Sequence, residues 1–174
     1  MRIKIELLSI IFIICTLNNC EGTNILSRRA VENYIKIIDN NNFENITLTI
    51  YYINPYILTR APLTAEQLIN FNKVNKIIIS YNVLREHIDL IKQINVDVIV
   101  PVRQKSYLDA RLCYVFETDR NGIILNIAMG GTNNSVFING FEVEDNEVFY
   151  NVIRPFLTEE ALTDLQVYFN RDNE

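Results

Sequence analysis

The sequence predicts an α+β domain: a largely antiparallel sheet of about five to seven strands with helices packed on one face, closed by a C-terminal β-meander and then two short helices. Three observations carry this reading. Val31, Tyr34, Ile35 and Ile38 recur at helical spacing near the start of the body. Ile46, Leu48, Ile50 and Tyr52 alternate with Thr47, Thr49 and Tyr51, the period of a strand with one apolar face. From Arg111 to Val143, short β-prone runs follow one another across turn signals, and no Gly-, Ser- or Pro-rich linker divides the chain.

The N-terminus reads as an address. Arg2 and Lys4 precede an apolar run from Leu7 to Leu17. At about eleven residues this run is too short to cross roughly 30 Å of hydrocarbon, and it matches the core of a signal peptide. Cys20 stands where a bacterial lipoprotein carries its acylated cysteine, with Leu17 three residues ahead, although Asn19 occupies the usual small-residue position. The expected division is residues 1–20 as signal peptide, 21–26 as a short tether and 27–174 as one domain, facing outward from the cell. If Cys20 is acylated, the first partner is the membrane, and the acyl chains of such a lipoprotein suffice for stable anchoring. The alternatives are a secretory signal cut near Cys20 that frees a soluble product, and an uncleaved anchor, disfavoured by Glu6 at the edge of the run.

In the body, Ser27 is placed to cap the first helix, and Asp39-Asn40-Asn41-Asn42 ends it before the Ile46–Tyr52 strand. Asn54-Pro55 breaks that strand; Tyr56 to Arg60 resumes it briefly as an edge until Pro62 removes a donor. Thr64-Ala65-Glu66-Gln67 has capping-box spacing for a short helix. Lys76 to Ser80 forms the next strand, whose unbroken Ile77-Ile78-Ile79 implies burial on both faces or a place at the sheet centre. Asn82 caps a helix with Leu84, Ile88 and Ile91 as its stripe, and Val98-Ile99-Val100 reads as a strand after it. In the meander, Asp119-Arg120-Asn121-Gly122 and Asn139-Gly140 supply hairpin turns, the second matching a type I′ turn. Glu147 to Ile153 forms a short helix, and Thr158 caps another with Ala161, Leu162, Leu165 and Phe169 facing inward.

Charge and cysteine usage narrow the function classes. Removing Arg2, Lys4 and Glu6 from the 16 basic and 21 acidic residues leaves 14 and 20, a net charge of −6 that speaks against nucleic acid as a partner. Cys15 and Cys20 lie in the signal region, so Cys113 is the one thiol of the body and no disulfide framework is expected; a Cys20–Cys113 bridge is the rival arrangement. His87, the single histidine, flanks a helix interface and offers little toward a zinc site or a serine-type triad. No motif calls for a metal or a cofactor. Glu142, Glu144, Asp145 and Glu147 lack EF-hand spacing and suit a helix start instead.

Two loops remain as candidate binding elements. Arg103, Lys105, Tyr107 and Arg111 make the most polar segment between two strong strands, and loops on a rigid sheet commonly carry binding. The bland alternative is a solvated connection with a weak Asp109–Arg111 surface pair. Gly130, Gly131 and Asn133 belong to the glycine-rich loop, which suits either a polar ligand or a wide turn with glycines at positive φ. The leading expectation is a non-enzymatic, tethered domain that binds a peptide, protein or cell-envelope component through its sheet edge or loops. The rivals are a hydrolase or transferase using Asp109 and Glu117, whose even separation puts both on one face of a regular strand, and an accessory subunit of a surface complex.

Ser106-Tyr107-Leu108-Asp109-Ala110-Arg111, the run Gly122 to Gly130, Val136-Phe137-Ile138-Asn139-Gly140 and the tail from Phe149-Tyr150 through Pro155-Phe156 resemble a family of small exported or lipid-anchored domains of low-GC Gram-positive bacteria. The resemblance spans roughly Ile46 to Phe169. It implies export or lipid anchoring, and it brings no activity and no residue role.

Overall fold

A computed structural model describes residues 26–39, 46–102, 106–131 and 135–169; the expected signal segment with Cys20 and residues 21–25 of the expected tether lie outside them, while Leu26, expected as the end of the tether, already belongs to the first helix. The predicted α+β architecture is present as a single six-stranded antiparallel sheet in the order β2-β1-β3-β4-β5-β6. Its strands are β1 (Ile46–Tyr52), β2 (Asn75–Ile79), β3 (Ala110–Thr118), β4 (Gly122–Gly130), β5 (Val136–Ile138) and β6 (Phe141–Val143).

One face of the sheet carries the larger core. Leu48, Ile50, Tyr114, Phe116, Leu125 and Ile127 point toward a layer made by helix α1 (26–39), the pair α3 (Tyr81–Glu86) and α4 (Ile88–Ile91), and the C-terminal helices α5 (Val148–Asn151), α6 (Glu159–Asp164) and α7 (Gln166–Phe169). Val31, Tyr34 and Ile38 are the buried stripe of α1. The Tyr34 ring lies 4.9 Å from Phe116 and its hydroxyl donates to the Ile91 carbonyl at 3.2 Å, so burial leaves no polar orphan. Tyr114 donates likewise to the Phe149 carbonyl at 2.9 Å. The opposite face holds a smaller cluster, Ile53, Leu68, Ala110, Cys113, Val115 and Ala128, covered by α2 (Ala65–Ile69).

Local signals behave as chemistry requires. Asn139 and Gly140 take φ of +48° and +83°, the I′ geometry that joins β5 to β6. Gly122 takes φ +63° in the β3–β4 turn. Thr64 and Gln67 close the full capping box on α2, and Thr158 accepts the Ala161 amide at the start of α6.

Five expectations change. Tyr56 to Arg60 forms no strand, because Asn54 diverts the chain into a turn. β2 is an edge strand rather than a centre: Ile79 reaches the core, but Ile78 faces away from it and is 62% exposed. Val98-Ile99-Val100 is not a strand; the Asn95 side chain accepts the Asp97 amide, tightening Val96–Val98 into a 3-10 turn, and only Pro101 bridges to Val143. The helix expected from Asn82 starts at Tyr81 after Ser80 and breaks at His87, which leaves helical geometry at φ −115° and ψ 24°. A similar break at Leu165 turns Tyr168, not Phe169, fully inward.

Candidate functional site

The segment between β1 and α2 is where the sequence and the fold disagree most, and it is also the most unusual surface. At its base, the Ile53 amide donates to the Arg111 carbonyl at 2.9 Å. Asn54 then acts twice: its Oδ1 accepts the Tyr56 amide at 3.0 Å, and its Nδ2 donates to Asp164 of α6 at 3.0 Å. Together with the Ile57 amide bonded to the Asn54 carbonyl, this makes an Asx-type turn. The chain returns along Thr59, whose hydroxyl donates to the Ala61 carbonyl at 2.8 Å.

The returning segment is held from β3. Arg111 is only 4% exposed, and its guanidinium meets Asp109 at 2.7 and 2.8 Å through two nitrogens. The same group donates to Thr59 Oγ1 at 3.1 Å and to the Ala110 carbonyl at 3.2 Å. Asp109 in turn accepts the Leu63 amide at 3.0 Å, while the Ala110 amide donates to the Leu63 carbonyl at 2.8 Å. The planar fork of arginine suits this arrangement, since one rigid group fixes a carboxylate and a hydroxyl from different segments. The Asp109–Arg111 pair is therefore a clamp with a buried guanidinium and a half-buried carboxylate, not the weak surface pair its sequence spacing suggests.

Gly131 completes the floor. It does not need a positive φ; its role is close approach, because a Cβ there would lie 2.9 Å from Arg111 Cγ and 3.6 Å from the Pro55 carbonyl. The expectation of positive-φ glycines in this loop thus fails at Gly131 for a packing reason. Among the described residues of this loop, both glycine amides are already engaged: the Gly130 amide donates to the Ser135 carbonyl and the Gly131 amide to the Asp109 carbonyl. The Gly130 carbonyl accepts the Tyr168 hydroxyl at 3.0 Å.

The clamp raises an apolar tip into solvent. Tyr56, Ile57 and Leu58 are consecutive exposed residues, Leu58 at 96%, whereas the other large exposed apolar side chains among the described residues stand singly in sequence. Beside the tip, a groove of about 420 Å³ is lined by the returning segment from Leu58 to Leu63 together with Gln67 and Phe71. Arg60 is the only charged residue from Asn45 to Ala65.

Of the residues predicted to bind, Arg111 and Gly131 meet at this site, and Tyr107, 90% exposed, lies two residues before Asp109. Arg103, Lys105 and Asn133 fall outside the described residues. Ser106 is tied to Glu142 through its amide at 2.6 Å and its hydroxyl. Sequence reasoning places Tyr56 to Arg60 on an edge strand that binds through its backbone, with Thr59 as an edge donor, and does not single out the Tyr56, Ile57 and Leu58 side chains as a contact. The signal for them was an apolar triplet bracketed by Pro55 and Pro62, where a sustained strand cannot form.

Among the described residues, catalytic groups do not gather here. Asp109 is bound to Arg111, and Glu117 is exposed further along β3, past a second irregularity of register at Phe116 and Glu117. The extra residue at Arg111, between Ala110 and Leu112 of β3, breaks the even alternation that would have aligned the two carboxylates. Cys113 is buried, its thiol donates to Asn126 Oδ1 at 3.2 Å, and burial pushes its pKa up to about 12, so the nucleophilic thiolate is suppressed. His87 stands edge-on to Phe156, with ring centroids 5.1 Å apart, as an interface residue. Among the described residues no three His, Cys, Asp or Glu side chains group as metal ligands, and no helix is long and apolar enough to cross a membrane. No family model, curated protein or solved structure matches the chain.

Proposed function

We propose that this chain is an exported, membrane-tethered binding domain without catalysis of its own, and that the loop at 54–63 is its contact element. One observation carries the reading: three consecutive apolar side chains are presented to water on a loop held by Arg111, Asp109 and Asp164. Exposed apolar runs cost solubility and are usually avoided in designed surfaces unless a partner covers them. Fully covering Leu58, at 96% exposure, is worth about 1.5–3 kcal/mol, with smaller gains from the partly exposed Ile57, and a loop ordered beforehand loses little conformational entropy on binding.

The signal-like N-terminus supports an address at the cell envelope, and the suppressed thiol and isolated histidine favour binding over chemistry. An accessory-subunit role is the version of this reading in which the partner is a neighbouring protein. The carboxylate-enzyme reading gains nothing from Asp109, which is committed to the clamp. A photo-crosslinking residue at position 58, compared with one at the singly exposed Ile123 in intact cells, tests the proposal. An adduct at 58 and none at 123 is the expected result; equal labelling at both contradicts it.

A further inference from the structure

The composition of the tip indicates what covers it. Tyr56, Ile57 and Leu58 differ in shape, and Leu58 has almost no contact with its own protein. A projecting group of this kind suits a medium that needs no matching pocket. Arg60 follows at once as the sole charged residue of the segment from Asn45 to Ala65, and the two acidic side chains that reach the loop, Asp109 and Asp164, are bonded to Leu63, Arg111 and Asn54 at its base. An aromatic, two aliphatic side chains and one cation form the set that settles at the boundary between acyl chains and phosphates. The other exposed edge feature, Ile78 on β2, lacks this character: Lys76 beside it lies over the Tyr51 ring at 5.4 Å and guards the edge.

We propose that the Tyr56-Ile57-Leu58 tip inserts into the interface of a phospholipid bilayer, with Arg60 meeting headgroup phosphate. This rests on the reading of loop 54–63 as the contact element and names its occupant. The clamp holds the tip in its inserting form, and a net charge of −5 leaves the domain without a general attraction to an anionic membrane. Insertion is thus driven by the tip, with a modest gain from anionic lipid.

The chain contains no tryptophan, so Leu58→Trp creates a single fluorescent reporter in the full-length protein. The probe is phosphatidylcholine vesicles, with and without phosphatidylglycerol, carrying brominated acyl chains. Because the N-terminal segment can itself bring the protein to vesicles, the local environment of position 58 is read on protein that co-sediments with them. The inference predicts a blue-shifted emission and quenching by the bromines for Leu58→Trp, and neither change for Ile123→Trp. Adding Arg60→Gln should weaken insertion about fivefold in phosphatidylglycerol-containing vesicles, and less in their absence.

Emission at position 58 that stays red and unquenched on vesicle-bound protein overturns the lipid assignment. If a photo-crosslinker at 58 then yields a protein adduct in the native envelope, the loop remains the contact element with a protein as its occupant. If it yields none, both the lipid assignment and the reading beneath it fall. Equal quenching of Leu58→Trp and Ile123→Trp also overturns the lipid assignment, because it means adsorption without a defined tip.

Discussion

The turn at Asn139–Gly140 and the connection from Ile53 to Thr64 both carry the chain out of the sheet and back, but by different means. The first is set by two adjacent residues at positive φ, supported by the Asn139 amide on the Asn126 carbonyl at 2.8 Å and by the Asn139 side chain accepting the Asn126 amide at 2.7 Å. The second is fixed by side chains from far along the chain: Asp109, Arg111 and Asp164 lie 46, 52 and 110 residues from the groups they hold. A local turn needs only its own dihedral preferences. A long connection with an apolar tip has no such preference and must be restrained from outside, which costs buried charge but fixes a surface that the chain alone would leave mobile.

This contrast predicts a graded set of mutational effects. The largest belongs to Arg111→Met, which strands Asp109 and frees Thr59. It should lower the unfolding free energy by about 3 kcal/mol, the low end for a broken buried pair because Asp109 keeps some contact with water. Urea denaturation checks the value. Next is Gly131→Ala, whose methyl group meets Arg111 Cγ at 2.9 Å. A loss of about 1–3 kcal/mol is expected, with faster proteolysis in the 54–63 segment. Gly140→Ala, at φ +83° with open space around its Cβ, should cost about 1 kcal/mol from backbone strain alone and leave that proteolysis unchanged.

Smaller still is Leu58→Ser, expected within about 0.5 kcal/mol of the parent in thermal unfolding, since the side chain makes no packing contact to lose. A substantial destabilisation there would mean that the tip packs on its own domain. Near neutral pH the least effect comes from Cys113. Its folded pKa of about 12 lies above the ordinary 9.0, so the unfolded chain releases this proton first. Its contribution to stability is therefore flat below pH 9 and declines as pH rises toward 12. Thiol labelling of native protein should stay slow until unfolding.

The same contrast separates what the residues disclosed from what they concealed. The alternation in Ile46–Tyr52, the Thr64–Gln67 capping box and the Asn139-Gly140 turn are local, and each has its structural counterpart. Ile77-Ile78-Ile79 misled because an unbroken β-branched run fits an edge strand with one exposed isoleucine as well as it fits a buried one. Val98-Ile99-Val100 lost its strand to an asparagine cap beside it and a proline after it. At the candidate site, Arg111 and Gly131 were visible as residue types but not as a clamp and its floor. Their pairing with Thr59 and Pro55 comes from the β1–β3 registration, which no short window contains. The apolar triplet was visible too, and was read as a strand because only the distant anchors reveal it as a tip.

Amide hydrogen exchange on the native protein and on Arg111→Met tests the clamp most directly. In the parent, the amides of Ile57 and Leu63 should be protected, as should that of Asn139 in the hairpin. Arg111→Met should raise exchange across 57–63 toward that of an open chain and leave Asn139 unchanged. Rapid exchange at Leu63 in the parent, or unaltered protection there in the variant, would contradict a loop held in place by Arg111 and Asp109.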